Sequence, residues 1–285
     1  MPELPDLEVL KDALAGAVTD RTIAQVRSYR PGILRTFDPT LDMLAGRGFA
    51  AIQRRGKHLI LTVAPDLHLV LHLMTSGRLV LTRADSRITK ATGLAVRFED
   101  GEDLRLVENG RIKRAAAYVV HAPIDVPRIA SAGIEPLSDE FTPEAFAALA
   151  RDRRRQAKKL LTDQTVIAGI GTAYADEILF EARVSPIRYA STMSEEDVLR
   201  LYASIRRVLG EAIAAITTIH AHAVDRVLPD KERGHMRVYK RGGTPCPACG
   251  TRIAEIRYAQ TRTYYCPTCQ AGGRALPDRR AWLER

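Results

Sequence analysis

The sequence predicts a multi-domain α+β protein with an N-terminal β-sandwich and a flanking helix, a helical domain in the middle and a C-terminal zinc ribbon. Apolar residues alternate between about 48 and 120, recur with a helical period from about 142 to 216, and all four cysteines lie after position 245. The length of 285 residues fits about two domains. A hydrophobic fraction of 46% excludes a wholly disordered or collagen-like chain.

The first element is a short amphipathic helix, because Pro5 stands at a first helical position and Leu4, Leu7, Leu10 and Leu14 form one stripe. Several short strands follow, a spacing typical of a sandwich or barrel, with an Asp100-Gly101 turn between two of them. The strands are predicted over 58–63, 67–71, 79–81, 94–98 and 104–107.

Composition along the chain suggests the domain boundaries. We expect the N-terminal β-sandwich domain over 1–122, a proline-rich linker over 123–140, the helical domain over 141–225, the zinc ribbon over 236–272 and a basic tail over 273–285. No apolar stretch approaches the roughly 18 residues of a membrane span. The first residues lack a signal peptide, so we expect a soluble, cytoplasmic protein without a membrane partner.

The positive charge is unevenly distributed. Of the net charge of +9, the last 60 residues supply +8, from 13 Lys/Arg and 5 Asp/Glu. A second basic cluster lies between Arg151 and Lys159. Charge localised in this way fits a surface that binds a polyanion, since phosphate contacts release counterions. A solvated surface that only aids solubility explains the charge equally well.

The cysteines form two Cys-x-x-Cys pairs, Cys246/Cys249 and Cys266/Cys269, separated by sixteen residues. This spacing is typical of a four-thiolate zinc site, in which two knuckles complete a tetrahedron and leave no open position. We therefore predict one structural Zn²⁺; two disulfides or a redox pair are the alternatives. Such a ribbon can bind protein or nucleic acid, and its interleaved arginines and tyrosines favour nucleic acid.

A glycine-rich turn stands inside the helical domain. Gly169 and Gly171 permit a close backbone turn, and Thr172 is expected to cap the next helix. A helix start of this kind can bind phosphate, and Lys158 and Lys159 approach it. A plain turn between two helices is the alternative.

The N-terminus offers a nucleophile. A small residue at position two usually permits removal of Met1, which would give Pro2 a free secondary amine. An α-amino group has a pKa of about 7.7 to 8 and can form a Schiff base with a sugar carbon. Glu3 beside it could act as general acid. In isolation this signal is weak, because most chains that begin Met-Pro-Glu make no such use of it.

The motifs taken together are more specific than any one of them. They occur in order along nearly the whole chain, and together they resemble the formamidopyrimidine-DNA glycosylase/endonuclease VIII family of base-excision repair enzymes. The motifs are Met1-Pro2-Glu3-Leu4-Pro5-Asp6-Leu7-Glu8, Arg55-Gly56-Lys57, the segment from His72 to Gly77, the segment from Leu161 to Pro186, and the ribbon ending Tyr264-Tyr265-Cys266-Pro267.

The resemblance implies a β-sandwich, a helix-two-turns-helix domain and a zinc ribbon in a bifunctional DNA glycosylase and abasic-site lyase. Pro2 would be the Schiff-base nucleophile, Glu3 the general acid and Lys57 a lysine that contacts the lesion phosphate and assists elimination. Phosphate-binding positions would be Lys158, Gly169, Gly171 and Thr172. The implied partner is DNA with damaged bases or abasic sites, acted on by a monomer in the bacterial cytoplasm at the nucleoid.

The chain departs from the family pattern at the positions that recognise the lesion. The ribbon arginine of the family aligns with Thr261, and Arg262 stands one place later, on the opposite face of a strand. The intercalating methionine aligns with Thr75, beside Met74. The loop that fills the vacated place in the duplex aligns with 108–112, which begins at Glu108. Gly110 and Ile112 take the two filling positions, and Arg111 is the remaining arginine.

These departures make contacts from Arg262, Met74 and Arg111 to DNA open questions. They also suggest a lesion that needs little filling of the duplex, one that is bulky, unpaired or single-stranded. A non-catalytic protein that binds damaged DNA is the main alternative function. A zinc-ribbon transcription or ribosome-associated protein is disfavoured, since it gives Pro2, Glu3 and Lys57 no role.

Overall fold

The computed structural model describes residues 1–64, 66–151, 154–220, 234–258 and 261–277. The chain forms two compact units. The first comprises Met1–Ser131 and Ile213–Pro229, and the second Ala132–Ala212 and Asp230–Arg285. The boundaries expected from the sequence, including the tail over 273–285, remain a prediction; positions 278–285 of that tail lie outside the described residues.

The first unit is built on two four-stranded antiparallel sheets. One sheet has the order β1-β6-β7-β5 and the other β2-β3-β4-β8. Leucine, valine and isoleucine side chains from both sheets form one buried cluster, which confirms the predicted sandwich. The strands are β1 (Ile23–Ser28), β2 (Ala51–Arg55), β3 (His58–Ala64), β4 (Leu67–His72), β5 (Gly77–Arg83), β6 (Thr92–Phe98), β7 (Glu102–Glu108) and β8 (Ala116–Val120).

Helix α1 (Leu4–Val18) flanks the sandwich as predicted, with proline in its first turn. Its apolar stripe, Leu7, Leu10 and Leu14, is buried in the core shared by the two sheets. The helix packs against β2. Since Glu3 is the residue just before α1, this packing fixes the N-terminal residues relative to the hairpin formed by β2 and β3.

The stretch after the sandwich is more ordered than a linker. It contains a 3-10 turn at Pro123–Asp125 and a short helix α2 (Pro127–Ala130). Val126 and Ile129 are buried against residues of β3, β4 and β8. This packing follows from the sequence of β4, whose residues are buried on both faces and therefore need an apolar cover on each.

Helices make up the first part of the second unit, as predicted. They are α3 (Pro143–Arg151), α4 (Ala157–Thr162), α5 (Thr172–Glu181) and α6 (Glu195–His220), the last of which continues into the first unit. Phe141, Phe146 and Tyr202 pack their rings together, with centroids 5.2 to 6.4 Å apart. Gly133 lies so close to Val166 that a Cβ would be 2.3 Å from the Val166 carbonyl.

The ribbon follows in the same unit. Strands β9 (Ala254–Tyr258) and β10 (Thr261–Tyr265) pair in antiparallel register, and α7 (Pro267–Ala271) follows. A small apolar cluster supports them, in which Val238, Ile253 and Tyr264 surround Cys246 and Cys266. Within the described ranges, no helix combines the length and apolar character that crossing a membrane requires.

Candidate active site and zinc centre

The N-terminal residues are packed into the protein. Pro2 is buried, Glu3 is 4% exposed, and Met1 is 46% exposed. The Glu3 backbone N–H donates a hydrogen bond of 2.8 Å to Asp6 Oδ2, which ties the residue to the first turn of α1. This contact is the reciprocal half of a capping box, so the helix start holds the Glu3 backbone in one extended conformation.

Lys57 lies in the two-residue turn between β2 and β3. The turn is possible because Gly56 adopts a φ of 57°, a region that favours glycine. Lys57 is 8% exposed, and burial lowers its pKa while the charge of Glu3 opposes that effect. Lys57, in the β2–β3 turn, therefore lies within range of the negative charge of Glu3, the residue before α1.

Arg54 connects the two elements that carry these groups. Its Nε donates to Glu8 Oε1 of α1 at 2.7 Å, and its Nη1 donates to the Gly56 carbonyl at 2.9 Å. The Arg54 side chain is 4% exposed, so this ion pair is shielded from water. One guanidinium thus spans α1 and the turn that presents Lys57.

Two buried histidines adjoin Lys57. The rings of His58 and His72 meet edge to face with centroids 4.5 Å apart. Burial, followed by the charge of Arg128, lowers the pKa of His58 to about 4. Burial, His58, Arg128 and Lys57 together lower the pKa of His72 to about 3. Both rings are therefore neutral at pH 7 and add no positive charge beside Lys57.

Sequence reasoning assigned no role to Arg54, Glu8 or His58. The alternation of apolar residues predicts β3 but not β2, and it does not reveal which polar side chain of one strand reaches a helix. The sequence carried one signal for these contacts. Charged residues occur within an otherwise apolar hairpin, and a charged side chain that is buried there requires a partner.

The two loop residues predicted near the lesion lie at one end of the sandwich. Met74 has a φ of 51°, which is strained for this residue type, and its N–H donates to His72 Nδ1 at 3.1 Å. Arg111 is exposed in the loop after β7. The structure thus connects Met74 to the histidine pair and leaves Arg111 accessible to solvent.

Lys158 is engaged inside the second unit. Its Nζ lies 2.6 Å from Asp176 Oδ1 of α5 and donates to Thr263 Oγ1 and the Arg262 carbonyl of β10, each at 2.9 Å. Burial raises the pKa of Asp176 to about 7, and Lys158 opposes this rise. Asp176 Oδ2 also accepts from the Tyr264 N–H at 3.1 Å. Lys158 therefore joins α4 and α5 to the ribbon.

The glycine-rich turn has a different cap from the predicted one. Gly169 has a φ of 87°, and its N–H donates to Gln164 Oε1 at 3.0 Å. The residue before α5 is Gly171, with an extended backbone, whereas Thr172 is already the first helical residue. The prediction that Thr172 caps α5 was wrong, because glycine can supply the extended N-cap conformation without a side chain. Thr172 is exposed at the helix start.

Arg262 projects from β10 opposite Arg257. Its side chain is 55% exposed, and its Nε lies 3.6 Å from Glu255 Oε1. The neighbouring Thr263 is 5% exposed and hydrogen-bonded to Lys158. Since alternate residues of a strand face opposite sides, Arg262 lies on the outer face of the ribbon.

The four cysteines converge as a zinc site requires. Their Sγ atoms lie within 4.8 Å of one another, with 3.9 Å between Cys246 and Cys269 and 3.4 Å between Cys249 and Cys266. A tetrahedral Zn²⁺ with bonds of about 2.3 Å places sulfurs about 3.8 Å apart. No disulfide joins the four cysteines, and the convergence of all four Sγ atoms on one point favours the zinc site over two disulfides. The cluster fits one structural zinc ion.

These features define the class of protein. It has a zinc ribbon and a β-sandwich, and the sandwich carries Glu3 just before α1 and the buried Lys57 in the β2–β3 turn. Family models match three parts of the chain: the formamidopyrimidine-DNA glycosylase N-terminal domain over 1–115, the formamidopyrimidine-DNA glycosylase H2TH domain over 132–222, and the zinc finger found in FPG and IleRS over 243–272.

Curated relatives align over nearly the full chain. The formamidopyrimidine-DNA glycosylase of Moorella thermoacetica is 36% identical over 90% of this chain and 95% of its own. The Roseiflexus sp. protein of the same name is 37% identical over 95% of this chain and 100% of its own. The chain therefore belongs to the formamidopyrimidine-DNA glycosylase family. It is a base-excision repair DNA glycosylase, and AP lyase activity is typical of the family.

Solved structures of proteins named Fpg or MutM have the same fold as this chain. The MutM (Fpg) protein of Thermus thermophilus has a TM-score of 0.80 at 32% identity, covering 94% of this chain and 98% of its own. The Lactococcus lactis Fpg in complex with a Fapy-dG-containing DNA has a TM-score of 0.84 at 26% identity, covering 94% and 100%. The match confirms the three-part architecture predicted from the sequence.

Proposed function

We propose that Pro2 is the nucleophile of this glycosylase, that Glu3 is its general acid and that Lys57 assists elimination. The observation that carries this proposal is the position of Lys57 within range of the negative charge of Glu3, with burial lowering the pKa of Lys57. A lysine that gives up its proton more readily than usual is suited to a proton transfer near neutral pH.

The chemistry proceeds in balanced steps. The Pro2 nitrogen, freed by loss of Met1, attacks C1′ as the bond from C1′ to the base breaks, and the base departs with that electron pair. After the nitrogen has lost its proton, the C1′–O4′ bond breaks, Glu3 protonates O4′ and an iminium remains at C1′. Loss of a proton from C2′ then expels the 3′ phosphate. Lys57 contacts the lesion phosphate and assists this elimination.

The substrate class is DNA with damaged bases or abasic sites. Lactococcus lactis Fpg has been solved bound to DNA with an abasic site and to DNA with Fapy-dG. We infer the same class for this chain, acting as a monomer in the cytoplasm at the bacterial nucleoid. The net charge of +9 supports association with a polyanion.

We propose that the Gly169–Thr172 turn contacts a DNA phosphate, since the exposed Thr172 stands at the start of α5. Arg262 is a second proposed contact, because it is exposed on the outer face of the ribbon. For Lys158 we propose an indirect role, in which its bonds to Asp176 and Thr263 position the ribbon. Met74 and Arg111 are proposed contacts at the lesion.

Borohydride trapping on DNA with an abasic site tests the nucleophile. The protein with Met1 removed, as verified by mass spectrometry, is expected to give a covalent adduct that Pro2→Gly abolishes. Pro5→Ala is the matched control, since it changes a nearby buried proline of α1 without touching the amine. An adduct that persists in Pro2→Gly, or tight binding with no adduct in the parent protein, would contradict the proposal.

A further inference from the structure

A buried carboxylate stands at the end of β7, outside the proposed catalytic groups. Glu108 is 1% exposed, and its Oε2 lies 2.5 Å from Nη1 of Arg30. Its Oε1 accepts hydrogen bonds from the backbone N–H groups of Arg114 and Ala115, at 2.9 and 3.0 Å, and from the Ser76 hydroxyl at 3.1 Å. Burial disfavours the charge, but these hydrogen bonds and Arg30 hold the pKa of Glu108 below its usual range.

These contacts join two loops, which we call the 73–76 loop and the 109–115 loop. Ser76 belongs to the first, and its hydroxyl also approaches the Ile112 carbonyl of the second at 3.4 Å. Gly110 lies against Ser76, where a Cβ would come within 3.0 Å of the Ser76 side chain. Arg30 completes the connection by donating to the Ala115 carbonyl at 3.3 Å. The two loops therefore have one closely packed arrangement.

The same connection reaches the active-site cluster. Met74 of the 73–76 loop donates its N–H to His72, and His72 lies beside His58 and Lys57. A shift of Glu108 would thus displace a loop that is hydrogen-bonded directly to this cluster.

The 109–115 loop has the surface of a duplex-contacting element. Ile112 is 64% exposed, and its neighbours Arg111, Lys113 and Arg114 are exposed and basic. An exposed apolar side chain among cations is the combination with which proteins separate stacked bases while neutralising phosphates. Access to a stacked base requires such a separation, whereas a base in single-stranded DNA does not.

We propose that Glu108 is a positioning residue that holds the 73–76 and 109–115 loops beside the active site, and that this arrangement is required for lesions in duplex DNA but not in single strands. The inference rests on the proposed function, because the loops matter only if the cluster around Lys57 acts on DNA. Glu108 itself touches neither the substrate nor the reacting atoms.

The test compares single-turnover strand cleavage at one damaged base, Fapy-dG, placed in the same oligonucleotide as a duplex and as a single strand. Glu108→Gln keeps the shape but loses the charge that pairs with Arg30, and we expect the duplex rate to fall on the order of tenfold while the single-strand rate stays within about twofold. Glu102→Gln is the matched control, a more exposed carboxylate on β7 that pairs with Arg21, and it should change neither rate.

Two further variants keep the inference testable if Glu108→Gln does not fold. Ser76→Ala removes the hydroxyl that contacts Glu108 and the Ile112 carbonyl, and Gly110→Ala crowds the Ser76 side chain where the two loops meet. Both variants should lower the ratio of duplex to single-strand rate. An equal fall on both substrates, or an unchanged ratio in all variants, would overturn the inference. Failure of the proposed function is distinguishable, because the parent protein would then give no borohydride adduct on single-stranded abasic DNA.

Discussion

His72 shows how burial changes the charge of a single residue. Its pKa is about 3, below the ordinary value near 6.5, so the unfolded chain binds a proton that the folded protein does not between those values. Stability is therefore lost as the pH falls below about 6.5, by up to about 1.4 kcal/mol per pH unit for such a residue.

We predict that His72→Gln loses less stability than the parent protein between pH 6.5 and pH 4. Urea unfolding across this range measures the difference, and His121→Gln is the control because His121 is exposed. Parallel pH profiles for the parent and His72→Gln would show that burial does not suppress protonation of His72.

Arg54 is a residue whose geometry matters more than its charge. The guanidinium reaches Glu8 and the Gly56 carbonyl with two different nitrogens of one rigid plane, a fixed span that the single ammonium of a lysine does not reproduce. We predict that Arg54→Lys lowers the single-turnover rate of strand cleavage about tenfold, because the turn that carries Lys57, the residue proposed to assist elimination, loses its tie to α1. Arg83→Lys, in a solvent-exposed pair with Asp85, should leave the rate unchanged. Equal rates in both variants would show that the tie is dispensable.

The functional residues differ in how far the sequence could predict them. The resemblance proposed roles for Glu3 and Lys57 because their motifs are contiguous in the chain, and these roles stay predictions. The contact between Arg54 and Glu8 was not predicted, because the two residues lie 46 positions apart and no sequence periodicity encodes that contact. Glu108 was named as the start of a divergent loop, yet its hydrogen bonds depend on the fold of residues 76 and 114–115.

Among the elements, the ribbon depends most directly on its metal. Its apolar cluster is small and includes Cys246 and Cys266. Metal binding therefore supplies much of the free energy that folds it. We predict one zinc per chain by elemental analysis, and loss of zinc with faster proteolysis of the ribbon in Cys249→Ser. Thr268→Ala, an exposed residue within the second knuckle, should retain the metal; zinc retained at full stoichiometry in Cys249→Ser would contradict the four-thiolate site.

A second prediction concerns the contact of Lys158 in α4 with Asp176 in α5 and Thr263 in β10. Lys158→Ala leaves Asp176 buried without its cation, which should lower the free energy of unfolding by about 3 to 5 kcal/mol. Lys159→Ala removes the same charge from an exposed neighbour and should have little effect. Denaturant unfolding measures both. If Lys158→Ala is as stable as the parent but binds DNA with a smaller salt slope, Lys158 contacts phosphate directly.

Element prediction succeeded where the apolar period was regular. The runs that became β3, β4, β6 and β7 alternate or are continuously apolar, and the structure extends them by only a few residues. Strands β1, β2 and β8 were not identified, because β1 and β2 mix polar with apolar residues and β8 has only five residues. The cap of α5 was misassigned since hydroxyl residues usually lead at N-caps, whereas here glycine takes the position.

For the whole molecule, the remaining question is which DNA it prefers. Gly110 and Ile112 occupy the positions that align with the residues that fill the vacated place in the duplex. Together they fill less space there than two large side chains would. We predict faster cleavage of one lesion in single-stranded or unpaired DNA than in a fully paired duplex, since less filling is needed there. Matched oligonucleotides under single-turnover conditions measure the ratio, and a strong duplex preference would contradict the prediction.

The domain types and the zinc site were predictable because each has its own periodicity or spacing. The contact between the helices and the ribbon was not predictable, because Lys158 and Thr263 lie 105 positions apart in the sequence. Charge distribution suggested a polyanion, but charge alone carries no base specificity.

The buried position of Pro2, directly before the first turn of α1, has a practical consequence for handling the protein. With Pro2 as the proposed nucleophile, any affinity handle fused upstream would convert its secondary amine into an unreactive amide. Recombinant material carrying such an extension should be inert as a lyase until a protease restores proline as the first residue.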